Sequence, residues 1–96
     1  MMVLDKKIAE QTVNYLTQIN AIKLNTKNPF TWTSGIKSPI YCDNRLILSY
    51  PDVRKFIADK MTNIVKNKYG EDISIAGVAT GAIAIGAMIA ERLNLP

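Results

Sequence analysis

From Leu4 to Ile19 the apolar positions Leu4, Ile8, Leu16 and Ile19, with Val13 and Tyr15 beside them, recur at helical spacing. This spacing predicts an amphipathic surface helix, with Asp5 in its first turn where the dipole favours a carboxylate, and with Asn20 as its stop. Ala21–Leu24 is a short apolar stretch that reads as a strand, and Asn25–Pro29 is a polar loop closed by Pro29. Phe30, Trp32, Ile36, Ile40 and Tyr41 are strand formers, and Ser34-Gly35 is a turn signal between Phe30–Thr33 and an extended run around Pro39–Cys42. Pro39 argues against a central strand, so the segment is expected to be an edge hairpin or flap. Two readings stand here. Either the aromatics pack on the core, or the flap is a hood whose Trp32 and Tyr41 rings and free edge N–H groups grip a planar heterocycle.

The second half is more regular. Ser49 or Tyr50 caps a helix, Pro51 fits its first turn, and Val53, Phe56, Ile57, Met61, Ile64 and Val65 form one apolar stripe. Tyr69-Gly70 ends it, with Gly70 left-handed. Ile73–Ala79 is apolar nearly throughout, the pattern of a strand covered on both faces in a parallel sheet. A turn at Thr80-Gly81 leads into an apolar helix over Ala82–Leu93, where Gly86 and the alanines allow close packing. The order helix, hairpin, helix, strand, helix predicts the α/β class. One core strand is not a sheet, and Leu95-Pro96 falls where a next strand is expected, so these 96 residues read as part of a larger domain.

Composition narrows the chemistry. An apolar share of 48% is that of a folded chain. The net charge of +4 comes from 12 basic and 8 acidic residues without a run, which fits a solvated surface or attraction to a small anionic substrate. No clustered patch favours nucleic acid, and Gly77, Gly81, Gly86 and Ser74 interrupt the most apolar window, so a membrane span is not expected. The absence of histidine excludes Ser–His–Asp and Cys–His arrangements and any His-ligated metal within these residues. The single cysteine, Cys42, excludes an internal disulfide, fits a cytoplasmic location, and reads as a small packed residue because no base is in sight. No pair of carboxylates is spaced as an acid/base couple.

GVATGAIAIG at 77–86 is neither a dinucleotide fingerprint nor a Walker loop. It is a packing corner, or it is an anion cradle in which the N–H groups near Thr80, Gly81 and Ala82 and the Thr80 hydroxyl meet a phosphate. Lys37 and Arg45 flank the proposed hood, either as solvated charges or as contacts for a carboxylate or phosphate, and Asp43 either pairs with Arg45 or ends the strand.

At FTWTSGIKSPIYCDNR and again at SIAGVATGAIAIGAMIAERLNLP the chain resembles the orotate phosphoribosyltransferase family, from about Ile8 to Pro96. The S-G-x-x-S-P-x-Y element at Ser34–Tyr41 is the more specific part, and the G-V-A-T-G corner follows it after the Y-P-D helix start. The resemblance implies an incomplete type I phosphoribosyltransferase fold. In it residues 1–48 or so form an N-terminal helix and hood, and residues 49–96 or so begin a parallel-sheet core. It also implies transfer of ribose 5-phosphate from phosphoribosyl diphosphate to orotate in pyrimidine synthesis, with Mg²⁺ travelling with the diphosphate and a homodimer as the assembly. Tyr41 and Cys42 match positions that hold orotate, and Thr80 and Gly81, with Ala82 beside them, match the diphosphate loop. Thr33 stands where many relatives carry a lysine for the donor substrate, with Lys37 as a nearby substitute, and Gly81 replaces another such lysine. The family's acidic signature and mobile basic loop are not among these residues, so the 96 residues alone are expected to be inactive. A second reading is a non-catalytic binding module that keeps only the hood and the phosphate corner.

Overall fold

The Asp5 carboxylate accepts the Ile8 N–H at 3.0 Å, and with that bond the first helix begins. In the computed structural model, which describes residues 3–96, α1 spans Lys6–Gln18. Asp5 is therefore its N-cap and not part of its first turn. The helix ends at Ile19, and Asn20 takes φ 58°, a left-handed conformation that asparagine tolerates. No side chain of α1 is buried; Val13 lies open on its surface, and Leu4, ahead of the Asp5 cap, is exposed as well.

Four short strands follow: β1 (Ile22–Leu24), β2 (Phe30–Thr31), β3 (Lys37–Ser38) and β4 (Ile40–Cys42). The Ser34–Gly35 turn forms as predicted, with Gly35 at φ 87°, its N–H on the Trp32 carbonyl at 2.8 Å, and the Trp32 N–H on the Ile36 carbonyl at 2.8 Å. The strand exchange differs from the expected hairpin. β2 pairs with β3, in register Phe30↔Ser38, whereas β4 pairs antiparallel with β1, in register Lys23↔Tyr41. The register explains the switch. One step beyond Phe30↔Ser38 would set Pro29 opposite Pro39, and neither can donate, so that ladder stops and Ile40–Cys42 takes another partner.

A 3₁₀ helix over Asn44–Ser49, not apparent in the apolar pattern, leads to α2 (Pro51–Tyr69). Tyr50, one of the two expected caps, is its N-cap through extended backbone, with no side-chain cap bond. Gly70, at φ 76°, closes α2 with its N–H on the Lys66 carbonyl at 2.9 Å. The buried line of α2 is Val53, Ala58 and Thr62, while Met61 and Ile64 of the predicted stripe stay exposed. Small residues sit deepest, and the buried Thr62 hydroxyl is satisfied by the Ala58 carbonyl at 2.7 Å. α3 (Ile83–Leu93) packs on α2, and Arg92 Nε bonds Asp59 Oδ1 across them at 2.7 Å. This pair is partly solvated, so Arg92→Ala is expected to lower the unfolding free energy by only about 0.2–1 kcal/mol in urea titration.

Residues 73–79 do not form the predicted strand. Among the described residues the sheets are two antiparallel pairs, and no strand lies beside this segment. A strand exists only as a member of a ladder, and here the Ile75 N–H instead meets the Pro96 carbonyl at 2.9 Å. α3 packs tightly on the segment at a glycine pair: a Cβ on Gly86 would stand 3.1 Å from the Gly77 Cα. The chain divides into two compact units, one up to Ile47 and one from Leu48 to Pro96.

Candidate functional site

In the first unit the ladder decides which peptide groups are open. Asn25 N–H meets the Pro39 carbonyl at 2.7 Å and Asp43 N–H meets the Ala21 carbonyl at 2.8 Å, so Lys23–Tyr41 is the hydrogen-bonded pair between them. Ile40 and Cys42 therefore turn their N–H and C=O groups to the other edge of β4. Those of Ile40 are engaged: its N–H donates to Ser38 Oγ at 3.2 Å, and its carbonyl accepts the Trp32 indole N–H at 3.2 Å. The Cys42 peptide groups remain on the open edge, an adjacent donor and acceptor facing away from β1.

A recess of about 480 Å³ lies here, lined by Trp32, Thr33, Ser34, Ile40, Tyr41 and Cys42. Thr33, Tyr41 and Cys42, named from the sequence, are thus brought together around one opening. The Tyr41 ring is not free to offer both faces, because it packs on Phe30 with centroids 5.8 Å apart and planes at 39°. Cys42 is exposed, not packed, and its thiol donates to Asn44 Oδ1 at 3.1 Å. Lys37, on β3, is exposed and is not among the residues lining the recess. Arg45 pairs with Asp43 at 3.6 Å, on an exposed guanidinium. Sequence reasoning missed the Trp32–Ile40 tether and the Ser38 hydroxyl. The Ser-Pro dipeptide at 38–39 signals the latter, since a serine there bonds backbone two residues on.

In the second unit, Thr80, Gly81 and Ala82 form the corner that leads into α3, and the Ala79–Thr80 peptide is cis. The Ala82 N–H, expected as an anion donor, is taken by the Val78 carbonyl at 3.1 Å, and the Ile83 N–H lies on the Thr80 carbonyl at 3.3 Å. The donors left open at the corner are the Thr80 and Gly81 N–H groups and the Thr80 hydroxyl. All three residues are exposed, and a side chain at Gly81 would enter open space. A groove of about 420 Å³ between α2 and α3, lined by Met61, Val65, Ile85 and Ile89 among others, is almost wholly apolar and offers no convergent polar groups. Among the described residues no three His, Cys, Asp or Glu side chains cluster to hold a metal ion, and no helix is long and apolar enough to cross a membrane.

No protein-family model matches the chain. It is 55% identical over 96 residues to the orotate phosphoribosyltransferase of Phocaeicola vulgatus, covering 100% of this chain and 43% of that protein. It is 47% identical over 95 residues to the orotate phosphoribosyltransferase of Listeria innocua, covering 99% of this chain and 44% of that protein. The crystal structure of orotate phosphoribosyltransferase from Aeropyrum pernix superposes with a TM-score of 0.75 at 26% identity, over 88% of this chain and 49% of that one. Leishmania donovani UMP synthase superposes with a TM-score of 0.75 at 27% identity, over 96% of this chain and 19% of that one. The chain is therefore similar along its length to part of orotate phosphoribosyltransferases, and its α/β fold is that of part of a phosphoribosyltransferase. It spans less than half the length of the curated relatives it matches.

Proposed function

We propose that the complete protein transfers ribose 5-phosphate from phosphoribosyl diphosphate to orotate, giving orotidine 5'-phosphate and diphosphate in pyrimidine synthesis. The observation that carries this reading is the whole-chain similarity, 55% over 96 residues in one relative. The geometry of the first unit supports it. A pyrimidine imide edge presents an N–H beside a carbonyl, and the Cys42 C=O and N–H on the open edge of β4 complement that pattern. Tyr41, held against Phe30, keeps β4 in place beside the recess. Thr33 lines the same opening, and Lys37, exposed on β3, is the nearby cation for the donor substrate.

The corner at Thr80–Gly81 takes the diphosphate through two N–H groups and a hydroxyl, with Ala82 supplying only backbone support. In the reaction the orotate N1–C1 bond forms as the C1–oxygen bond to diphosphate breaks, and the N1 proton passes to solvent. The anomeric carbon passes through oxocarbenium character. Positioning and donors aimed at the departing diphosphate lower the barrier, with no covalent enzyme intermediate. Mg²⁺ belongs in this scheme only with the diphosphate. The described side chains do not form a site for it, and no step is routed through it. The complete protein is a cytoplasmic homodimer in this reading; the exposed Val13 of α1, with the exposed Leu4 just ahead of the helix, offers apolar surface that suits a second copy. Sedimentation of the complete protein tests the dimer.

The decisive assay follows loss of orotate absorbance with the full-length protein, Mg²⁺ and phosphoribosyl diphosphate. Turnover that requires both substrates is the expected result. Orotate left unconsumed at micromolar enzyme would overturn the proposal.

A further inference from the structure

We propose that Trp32 is a positioning and specificity residue of the recess, a fixed aromatic wall that selects a flat, conjugated heterocycle. This role rests on the reading that the recess takes orotate. Three bonds hold the residue. Its backbone N–H is on the Ile36 carbonyl at 2.8 Å, its carbonyl accepts the Gly35 N–H at 2.8 Å, and its indole N–H is on the Ile40 carbonyl at 3.2 Å. The first two fix the backbone, and the third fixes the ring, which would otherwise rotate about two side-chain bonds. With the one polar atom of its side chain satisfied, Trp32 is nevertheless 40% exposed and lines the recess. A large ring tethered at one end and open elsewhere is preorganised for stacking, because its ordering cost is already met before a ligand arrives.

The tether also joins two kinds of recognition. The carbonyl that accepts the indole belongs to Ile40, on the same edge of β4 as the open Cys42 peptide groups. The strand edge reads the donor and acceptor pattern of a ring, and Trp32 reads its flatness. A ring with two tetrahedral carbons keeps the imide edge but puckers, so it keeps the first contact and loses the second. Conjugated bases stack on aromatic side chains well enough for this difference to be measurable.

The test is calorimetric titration of the full-length protein, and of its Trp32→Leu and Trp32→Phe variants, with orotate, with 5,6-dihydroorotate, and with phosphoribosyl diphosphate. Trp32→Leu is expected to weaken orotate by about fivefold or more, to bring the orotate-to-dihydroorotate ratio toward one, and to leave phosphoribosyl diphosphate within about twofold. Trp32→Phe, which keeps a ring and loses the tether, is expected to retain most of the ratio. A Trp32→Leu variant that binds all three ligands equally more weakly shows a folding role and overturns the proposal. So does one that binds orotate as the unmodified protein does, and that outcome leaves the acceptor reading standing. Unmodified protein that binds no orotate overturns the acceptor reading and the Trp32 role with it.

Discussion

Gly77→Ala is expected to lower the unfolding free energy by about 1–3 kcal/mol, a large effect for one methyl group. A Cβ at Gly77 would lie 2.6 Å from the Ala82 carbonyl oxygen, 3.1 Å from the Ala82 carbonyl carbon and 3.1 Å from the Ile83 Cα. These are backbone atoms, so no side chain can rotate away. The same Ala82 oxygen accepts the Gly86 N–H at 2.8 Å, which is the opening bond of α3. Relieving the clash therefore pulls the start of the helix off the segment it packs on. It also moves the Thr80–Gly81 turn that precedes the helix.

Two other glycines calibrate the effect. A Cβ at Gly86 would approach Gly77 at 3.1 Å, but alanine inside a helix gains about 1 kcal/mol over glycine, so the net change is expected to be small. A Cβ at Gly81 meets nothing within 4 Å, and Gly81→Ala should stay within about 0.5 kcal/mol of the unmodified protein. Urea unfolding of the three variants measures the order. If Gly77→Ala were as stable as Gly81→Ala, the close packing of α3 on residues 73–77 would not be what holds this corner.

Cys42→Pro is the second substitution with a large expected effect, and here the effect falls on binding while folding is spared. The Cys42 N–H lies off the β1–β4 ladder, so proline removes a donor from the open edge without removing a ladder bond. Loss of one well-placed hydrogen bond is worth about 0.5–1.5 kcal/mol, and more to a charged partner, so orotate affinity is expected to fall by about tenfold. Cys42→Ala keeps the N–H and should bind orotate within about twofold of the unmodified protein. Tyr41→Pro is the opposite control, since the Tyr41 N–H belongs to the bonded pair with Lys23 and its loss should destabilise the β1–β4 ladder. Calorimetry and thermal unfolding on the three variants separate the two outcomes. Equal orotate binding by Cys42→Pro and Cys42→Ala would remove Cys42 from the proposed grip.

The three helices and the Ser34–Gly35 turn were readable in the amino-acid sequence because each is encoded in a short window. Apolar spacing marks α1 and α2, Pro51 and Gly70 mark the ends of α2, and Gly35 supplies the left-handed residue the turn needs. Thr33, Tyr41 and Cys42 were nameable together only through the family resemblance carried by FTWTSGIKSPIYCDNR, and nothing local said that they share one recess. Pairing is a different matter. Whether Ile40–Cys42 joins β2 or β1 depends on where Pro29 and Pro39 fall in a register, and a register is a relation between distant segments. The same holds for residues 73–79, whose strand-like composition cannot supply the neighbour that makes a strand.

At the corner, the run of small residues indicated that backbone donors are concentrated there. Only the fold decided that Ala82 turns its N–H to Val78 and leaves Thr80 and Gly81 open. Likewise Trp32 was visible as an aromatic of a flap, but its role as a fixed wall comes from one carbonyl eight residues further on. The sequence by itself determined the helices, the turn residues and the chemical groups available. Tertiary structure alone decided which peptide groups remain open, because a donor's availability depends on every partner that reaches it across the fold.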